Sequence, residues 1–240
     1  MTASPRSAIV LGASGSVGGV LVGALLRSGA FGTVVTVGRT SLPAQLAEAK
    51  SARVRLREVM VPDMTPEQLQ QATSNAVDAL EGEVVGLSVL GIGAGTAKLT
   101  MAQHRDVDVA LNAAFARGLA ATGKVRHLAL MSAVGANAAA SAQGSGAAGT
   151  SRYNRVKGEA EAAVLASGLA VVSVFRPAMI IGSRHTPRLL EMLLPLFSWA
   201  IPVKYRSIRV EQIAAAMVAT AHRTPPASAV YHYGEMLAMG

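Results

Sequence analysis

The stretch from Ile9 to Gly18 constrains this chain more than any other. An apolar run of strand length stops at Gly12. Three glycines spaced three apart, Gly12, Gly15 and Gly18, then lead into Val17, Val20, Leu21, Ala24 and Leu25, which recur at helical spacing. The pattern predicts a strand, a glycine turn and a helix. Gly12 permits the tight turn, Gly15 lets a bound group approach the backbone, and Gly18 lets the helix pack against the strand. A helix N-terminus directs unpaired N–H groups and the positive end of its dipole at whatever lies over such a turn. An anion belongs there, most simply a dinucleotide pyrophosphate. The spacing is G-x-x-G-x-x-G, so it matches the G-x-G-x-x-G fingerprint in mechanism and not letter for letter.

Composition narrows the class. With 240 residues, 51% of them hydrophobic and 15% charged, the chain is long enough for a substantial core and unlike a disordered or coiled-coil sequence. It has no cysteine, which removes disulfides, zinc-thiolate sites and thiol nucleophiles from consideration. The first apolar run is short and leads into the glycine turn, unlike a signal peptide, and no run reaches the ~18 apolar residues of a membrane span. A cytoplasmic location is the default expectation. The net charge of +8 fits nucleic acid, an anionic membrane, a polyanionic cofactor or a solvated exterior equally well. No basic run is interleaved with aromatics, which disfavours nucleic acid as a partner.

Along the chain, the first helix should end near Ser28-Gly29, and Thr33 to Val37 is a β-branched strand running into Gly38-Arg39-Thr40. An NAD-selective site commonly has an acidic residue at the end of this strand. Arg39 stands there instead and suits the 2′-phosphate of NADP, with a solvated strand-end arginine as the bland alternative. Val54 to Val61 predicts a third strand with one wetter face. Thr65-Pro66-Glu67-Gln68 is a helix start with an N-cap, a first-position proline and a capping-box glutamine. Leu69, Ala72, Ala76 and Leu80 form its buried stripe. Val84 to Leu90 is a fourth strand ending at Gly91, Gly93 and Gly95. A long helix follows, with Val107, Leu111, Ala114, Phe115 and Leu119 on one side and Gly123 as its stop. Val125 to Met131 is a fifth strand with Ser132 at its mouth.

Gly135 to Ser151 is rich in Ala, Gly and Ser and reads as a mobile loop, either a lid or an insertion. The next helix, capped by Ser151, begins Tyr153-Asn154-Arg155-Val156-Lys157, and Leu169 to Phe175 is a sixth strand closing at Arg176-Pro177. Leu189 to Ile201 is the most apolar segment: a pocket wall, a subunit contact or a membrane surface. A last helix carries Val210, Ile213, Met217 and Val218, and Val230 to Tyr233 can add a short final strand. Alternation of strand and helix predicts a doubly wound, mostly parallel α/β sheet of Rossmann type, a single domain over 1–240 whose region from about 177 to 240 lies on the substrate side.

Tyr153 and Lys157 are four apart, so both project from one helical face. A tyrosine, with a reference pKa of about 10, exchanges protons poorly near neutral pH, and a neighbouring ammonium favours its phenolate. Ser132 can orient a substrate oxygen, and Lys157 can also hold ribose hydroxyls. The bland alternative is a surface tyrosine, a solvated lysine and a turn serine. Glu159 and Glu161 are two apart and point different ways on a helix, so they are no acid/base pair. The histidines at 104, 127, 185, 222 and 232 show no metal-ligand spacing and read as surface residues, so no metal site is expected.

Taken together, the glycine turn, Ser132 and Tyr153-x-x-x-Lys157 resemble the short-chain dehydrogenase/reductase superfamily in its atypical or extended-type branch. More narrowly the chain is similar to the Tat-interacting-protein type of NADPH-binding oxidoreductase. Leu90-Gly91, Leu130-Met131-Ser132, Tyr153 to Gly158 with Glu159, and Val174 to Pro177 leading to Arg184 carry that likeness. The resemblance implies Ser132, Tyr153 and Lys157 as the catalytic trio. It implies an NADP(H) cofactor, with NAD(H) the lesser alternative, against Gly12, Ser14, Gly15, Ser16, Val17, Gly18, Arg39, Asp63, Leu90, Gly91, Lys157 and Pro177, with Asp63 near the adenine. The interval from Ser132 to Tyr153 exceeds the family pattern, so Ser132 reaches the site only if the intervening loop folds back. Asn112 is the one candidate for the family's helix asparagine.

The sequence therefore points to an NADP(H)-dependent oxidoreductase acting on the carbonyl/alcohol pair of a small, rather apolar substrate. The rival is an NADP(H)-binding sensor without turnover. A sugar-nucleotide epimerase is disfavoured by the short chain remaining after the sixth strand. The oligomeric state stays open, a homodimer included.

Overall fold

The computed structural model describes residues 6–182 and 202–240. Arg184, His185 and the apolar segment from Leu189 to Ile201 lie outside the described residues. Seven parallel strands form one sheet: β1 (Ser7–Leu11), β2 (Thr33–Gly38), β3 (Arg55–Met60), β4 (Val84–Ser88), β5 (Val125–Met131), β6 (Val171–Phe175) and, beyond two short strands, β9 (Ala229–Tyr231). Their order across the sheet is β3-β2-β1-β4-β5-β6-β9. The short strands β7 (Ile180–Ile181) and β8 (Ile208–Arg209) pair with each other.

Alternation along β1 explains the two layers. Ala8 and Val10 face α1 (Ser16–Arg27) and α7 (Val210–His222), packing with Leu21, Leu25, Ile213 and Met217. Ile9 and Leu11 face the opposite layer, with Leu69 and Val77 of α3 (Pro66–Asp78), Phe115 and Leu119 of α5 (Asn112–Ala121) and Val164 of α6 (Ser151–Leu165). Strands buried on both faces are what helices on both sides require. The start of α3 follows its local chemistry: Pro66 is the first residue and the Thr65 hydroxyl accepts from the Gln68 N–H at 3.3 Å. α6 begins one residue earlier than the capping argument predicts, at Ser151 with Thr150 in the cap position.

Several elements depart from the sequence reading. Helix α2 (Pro43–Ala52) has no buried stripe to announce it, because only Ala49 of its residues is buried. The single long helix is instead α4 (Met101–Arg105), a π-turn (Asp106–Leu111) and then α5. The chain closes on a further helix, α8 (Tyr233–Met239). No helix among the described residues is long and apolar enough to cross a membrane.

The reading of the histidines as surface residues is wrong for His104 and His127, which are 0% and 1% exposed. His127 lies on β5 with its Nε2 2.9 Å from the Ser173 hydroxyl of β6, and burial lowers its imidazole from 6.5 to about 4. The unfolded chain takes up that proton near pH 6.5, whereas the folded state resists until about pH 4. Its contribution is therefore complete above 6.5 and is lost as pH falls through that window, by on the order of 3 kcal/mol. Denaturant unfolding of the native protein and His127→Asn at several pH values checks this. The variant should lose much of the slope between pH 6.5 and 4.5, and an unchanged slope would assign the loss elsewhere.

Candidate functional site

The site lies where the sheet order changes direction. β1 and β4 are neighbours whose following segments cross to opposite faces, which opens a crevice at the C-terminal ends of the strands. The backbone is pressed tight at that point. Gly12 has φ +86°, and a Cβ on it would lie 2.7 Å from the Leu90 N at the end of β4. A Cβ on Gly18 would lie 2.1 Å from the Gly12 carbonyl oxygen, so α1 packs onto the turn backbone to backbone. Ser14 and Gly15 are exposed over this turn, Ser16 is half-buried, and Val17 is buried beneath it. Gly15 is the N-cap of α1 in extended conformation, with no side-chain cap and no acidic residue in the first turn. An exposed, positively polarised helix N-terminus bordered by small residues is a cradle for an anion.

Beside the cradle lies a cavity of about 320 Å³, lined by Arg39, Asp63, Met64, Leu90, Val107 and Leu111 among others. It brings together residues that the sequence placed after three different strands. Met64, with φ +51°, holds its wall in the left-handed region, an uncommon conformation for a non-glycine residue.

On the other side of the crevice α6 presents Tyr153 and Lys157, both buried, with the lysine Nζ 5.8 Å from the ring centroid. Lys157 reaches the loop after β4: a Cβ on Gly91 would lie 3.0 Å from its Nζ. Gly12, Leu90, Gly91 and Lys157 are thus a continuous run of contacts from the glycine turn to the helical pair. The Lys157 ammonium is also ion-paired to Asp108 of the π-turn, with Nζ 2.6 Å from Oδ1. Burial works against the ammonium, but Tyr153 and Asp108 outweigh it and hold Lys157 above the ordinary lysine range. For Asp108, burial favours the neutral acid; the Lys157 charge, with His104 nearby, overcomes it and lowers the carboxyl to about 2.

The loop from Gly135 to Ser151, which the sequence reads as a lid or an insertion, is tied to α6 through its residues Asn137 to Ala140. The Asn137 N–H donates to the Asn154 carbonyl at 2.9 Å, and the Arg155 guanidinium donates to the Ala140 carbonyl at 2.9 Å. A Cβ on Gly158 would lie 2.1 Å from the Ala138 N, so the loop lies directly on the backbone of α6. Its composition hid this, because the anchors are backbone groups and small-residue contacts and not apolar side chains. The loop therefore folds back, as Ser132 requires. The Ser132 N–H donates to the Phe175 carbonyl at 2.7 Å, and the buried Ser132 hydroxyl has no hydrogen-bond partner among the described residues. Pro177 is buried, and its carbonyl accepts from the Val134 N–H at 2.8 Å.

The Asn112 amide is hydrogen-bonded to groups other than Lys157. Its amide donates to the Asp108 carbonyl at 2.8 Å and to the Leu90 carbonyl at 3.3 Å, and accepts from the Ser88 hydroxyl at 2.5 Å. It ties the π-turn to the end of β4. The helix residue that reaches Lys157 is Asp108, which the sequence reading missed together with His104. Their signal was the i, i+4 spacing of His104, Asp108 and Asn112 on the apolar side of a helix. Glu159 and Glu161 point apart as expected: Glu159 pairs with Arg105 and Arg155, and Glu161 with Arg176.

The turn geometry separates two glycines. Gly18→Ala forces backbone apart and should destabilise the fold by on the order of 3 kcal/mol. Gly15→Ala meets only the Gly12 carbonyl oxygen, at 3.3 Å, in an ordinary backbone conformation, and should cost about 1 kcal/mol or less. Chemical denaturation of both variants checks the order, and a reversed order would contradict the packing described.

No family model matches the chain. It is 29% identical to the HTATIP2 protein of Rattus norvegicus over 202 residues, 84% of this chain and 74% of that protein. A short-chain dehydrogenase/reductase of Serratia marcescens superposes with a TM-score of 0.69 at 17% identity, covering 96% of this chain and 98% of that one. L-sorbose reductase of Gluconobacter frateurii, solved with NADPH and L-sorbose, gives 0.63 at 17% identity, covering 99% and 98%. MoeE5, solved with UDP-glucose and NAD, gives 0.64 at 17% identity, covering 97% and 80%. The chain has the fold of the short-chain dehydrogenases/reductases, and in sequence it resembles the Tat-interacting-protein type.

Proposed function

We propose that this chain is an NADP(H)-dependent oxidoreductase that interconverts a carbonyl and an alcohol on a small, rather apolar substrate. The observation that carries the reading is the joining of the glycine cradle to the buried Tyr153/Lys157 pair through Leu90 and Gly91. The residues present fit a dinucleotide. The cradle at Gly12 to Gly18 would take the pyrophosphate, the Arg39/Asp63 cavity would take the adenosine end, and Lys157 would hold ribose hydroxyls. Of the solved structures with this fold, one is in complex with NAD and another with NADPH. Arg39, with no acidic residue in its place, favours the phosphorylated cofactor.

When bound, the nicotinamide supplies or accepts a hydride at the substrate carbon. The protein supplies the rest. Tyr153 gives its hydroxyl proton to the carbonyl oxygen as that carbon is reduced, and takes it back in the reverse direction. Ser132, with a buried hydroxyl free to donate, orients the same oxygen. Lys157 stabilises the tyrosine oxygen electrostatically and holds ribose hydroxyls. Of the described residues after Pro177, α7 packs with α1 against the sheet and β9 extends the sheet edge.

Two measurements test this. Arg39→Ala should weaken NADPH about tenfold to a hundredfold and leave NADH nearly unchanged, as loss of one charge-assisted phosphate contact requires. Equal affinity of the native protein for the two cofactors would remove Arg39 from that role. Tyr153→Phe should retain fold and NADPH affinity while turnover across a panel of aldehydes, ketones and quinones falls by ~10²–10⁴. A native rate in that variant would overturn the mechanism. Tight NADPH binding with no turnover of any panel member by the native protein would assign the chain to the cofactor sensors.

A further inference from the structure

Among the groups near Lys157 that can carry a negative charge are Tyr153 on its own helix and Asp108 on the π-turn. Asp108 is 0% exposed and held from both sides. Its Oδ1 lies 2.6 Å from the Lys157 Nζ, and its Oδ2 accepts the Ile92 N–H at 3.1 Å. A bidentate Arg105 to Glu159 pair, both contacts 2.6 Å, fastens α4 to α6 and so fixes the π-turn against Lys157. The absence of a side chain at Gly91 makes room for the pair, because a Cβ there would lie 3.0 Å from Nζ and 3.1 Å from Oδ1.

Among the described residues, the other titratable groups facing this pair are Glu161 and His104. From α6, Glu161 has both oxygens engaged by the Arg176 guanidinium, at 2.9 and 2.5 Å. From α4, the fully buried His104 places its Nε2 3.7 Å from Asp108 Oδ1, too long for a hydrogen bond, and its ring centroid 5.6 Å from that of Tyr153. β4 and its following loop contribute a backbone N–H and no charge. Among the described residues facing the pair, Glu161 is matched to Arg176, which leaves the Lys157 cation matched by the Asp108 carboxylate.

We propose that Asp108 is a positioning residue of the proton-transfer site: as the counter-ion of Lys157 it fills the place that an ionised Tyr153 would otherwise take, and so keeps Tyr153 in its hydroxyl form, ready to donate. This rests on the reading of Tyr153 as the proton donor. The physical basis is that a buried ion demands a partner, and two acids compete here for one ammonium. The lysine on the tyrosine's helical face does not act alone, and its field at the phenol is offset by a carboxylate that comes from a different part of the chain.

The test is Asp108→Asn, which keeps shape and the bond from Ile92 while removing the charge. Tyrosinate absorbance is followed against pH, with the same variant carrying Tyr153→Phe as the blank, alongside the pH profile of alcohol oxidation where a substrate is turned over. Both midpoints should move to the acid side by about one pH unit or more, the scale of removing one nearby charge in a poorly screened site. An unchanged midpoint, or one moved to the alkaline side, would overturn the proposal. Glu161→Gln should move the midpoint much less, because Arg176 already matches that carboxylate; a shift equal to that of Asp108→Asn would also overturn it. Should Asp108→Asn fail to fold, Gly91→Ala presses a methyl on both partners, 3.0 Å from Nζ and 3.1 Å from Oδ1, and the displaced pair should give an acid shift of the same sign, whereas no shift there counts against the proposal. The absorbance titration needs no turnover, so a protein that never oxidises NADPH still tests the counter-ion role, and loss of the enzymatic reading is told apart from loss of this one.

Discussion

The close approach of backbone to backbone at the end of β1 is the constraint on which the rest depends. Gly18 packs on the Gly12 carbonyl and Gly12 packs on Leu90, with no room for a Cβ at either contact. That contact sets the angle at which α1 leaves the sheet, and so where its N-terminus points. It also fixes the end of β4 beside the turn. Because Gly91 follows Leu90, the same packing decides where Lys157 can rest, and through Lys157 it sets the relation of α6 to the cradle. The glycine cradle and the Tyr153/Lys157 pair, more than a hundred residues apart in sequence, are thus held in register by three missing side chains.

The π-turn plays the complementary part on the other side of β4. Its wider winding leaves Asp108 facing α6 while Asn112 faces the end of β4, and the Asn112 amide satisfies the Asp108 carbonyl within the turn. π-turns of this kind occur often at functional sites. Here the turn lets one helical segment serve two neighbours at once.

Much of this was legible in the sequence because it rests on local rules. The glycine spacing announced the turn, alternating β-branched runs announced the strands, Thr65-Pro66 announced the start of α3, and the four-residue spacing of Tyr153 and Lys157 announced their shared face. What stayed hidden depends on partners. Helix α2 buries little and leaves no periodic trace. The Ala/Gly/Ser loop is anchored by backbone groups, which composition does not record. His127 looked like a surface residue because an alternating strand does not say that both of its faces are covered. Asp108 went unread, since spacing gives the face of a residue but not what stands opposite it, and a π-turn changes the face itself.

The central claim is that the crevice over β1, β2, β4 and the start of α6 holds a dinucleotide in one continuous site. Backbone amide exchange of the native protein with and without saturating NADPH tests it most directly. The account predicts slower exchange in three separate stretches at once: the turn from Gly12 to Gly18, the cavity wall around Asp63 and Met64, and the loop from Leu90 to Ile92. Binding that left all three unchanged, or that protected a surface away from the crevice, would contradict it.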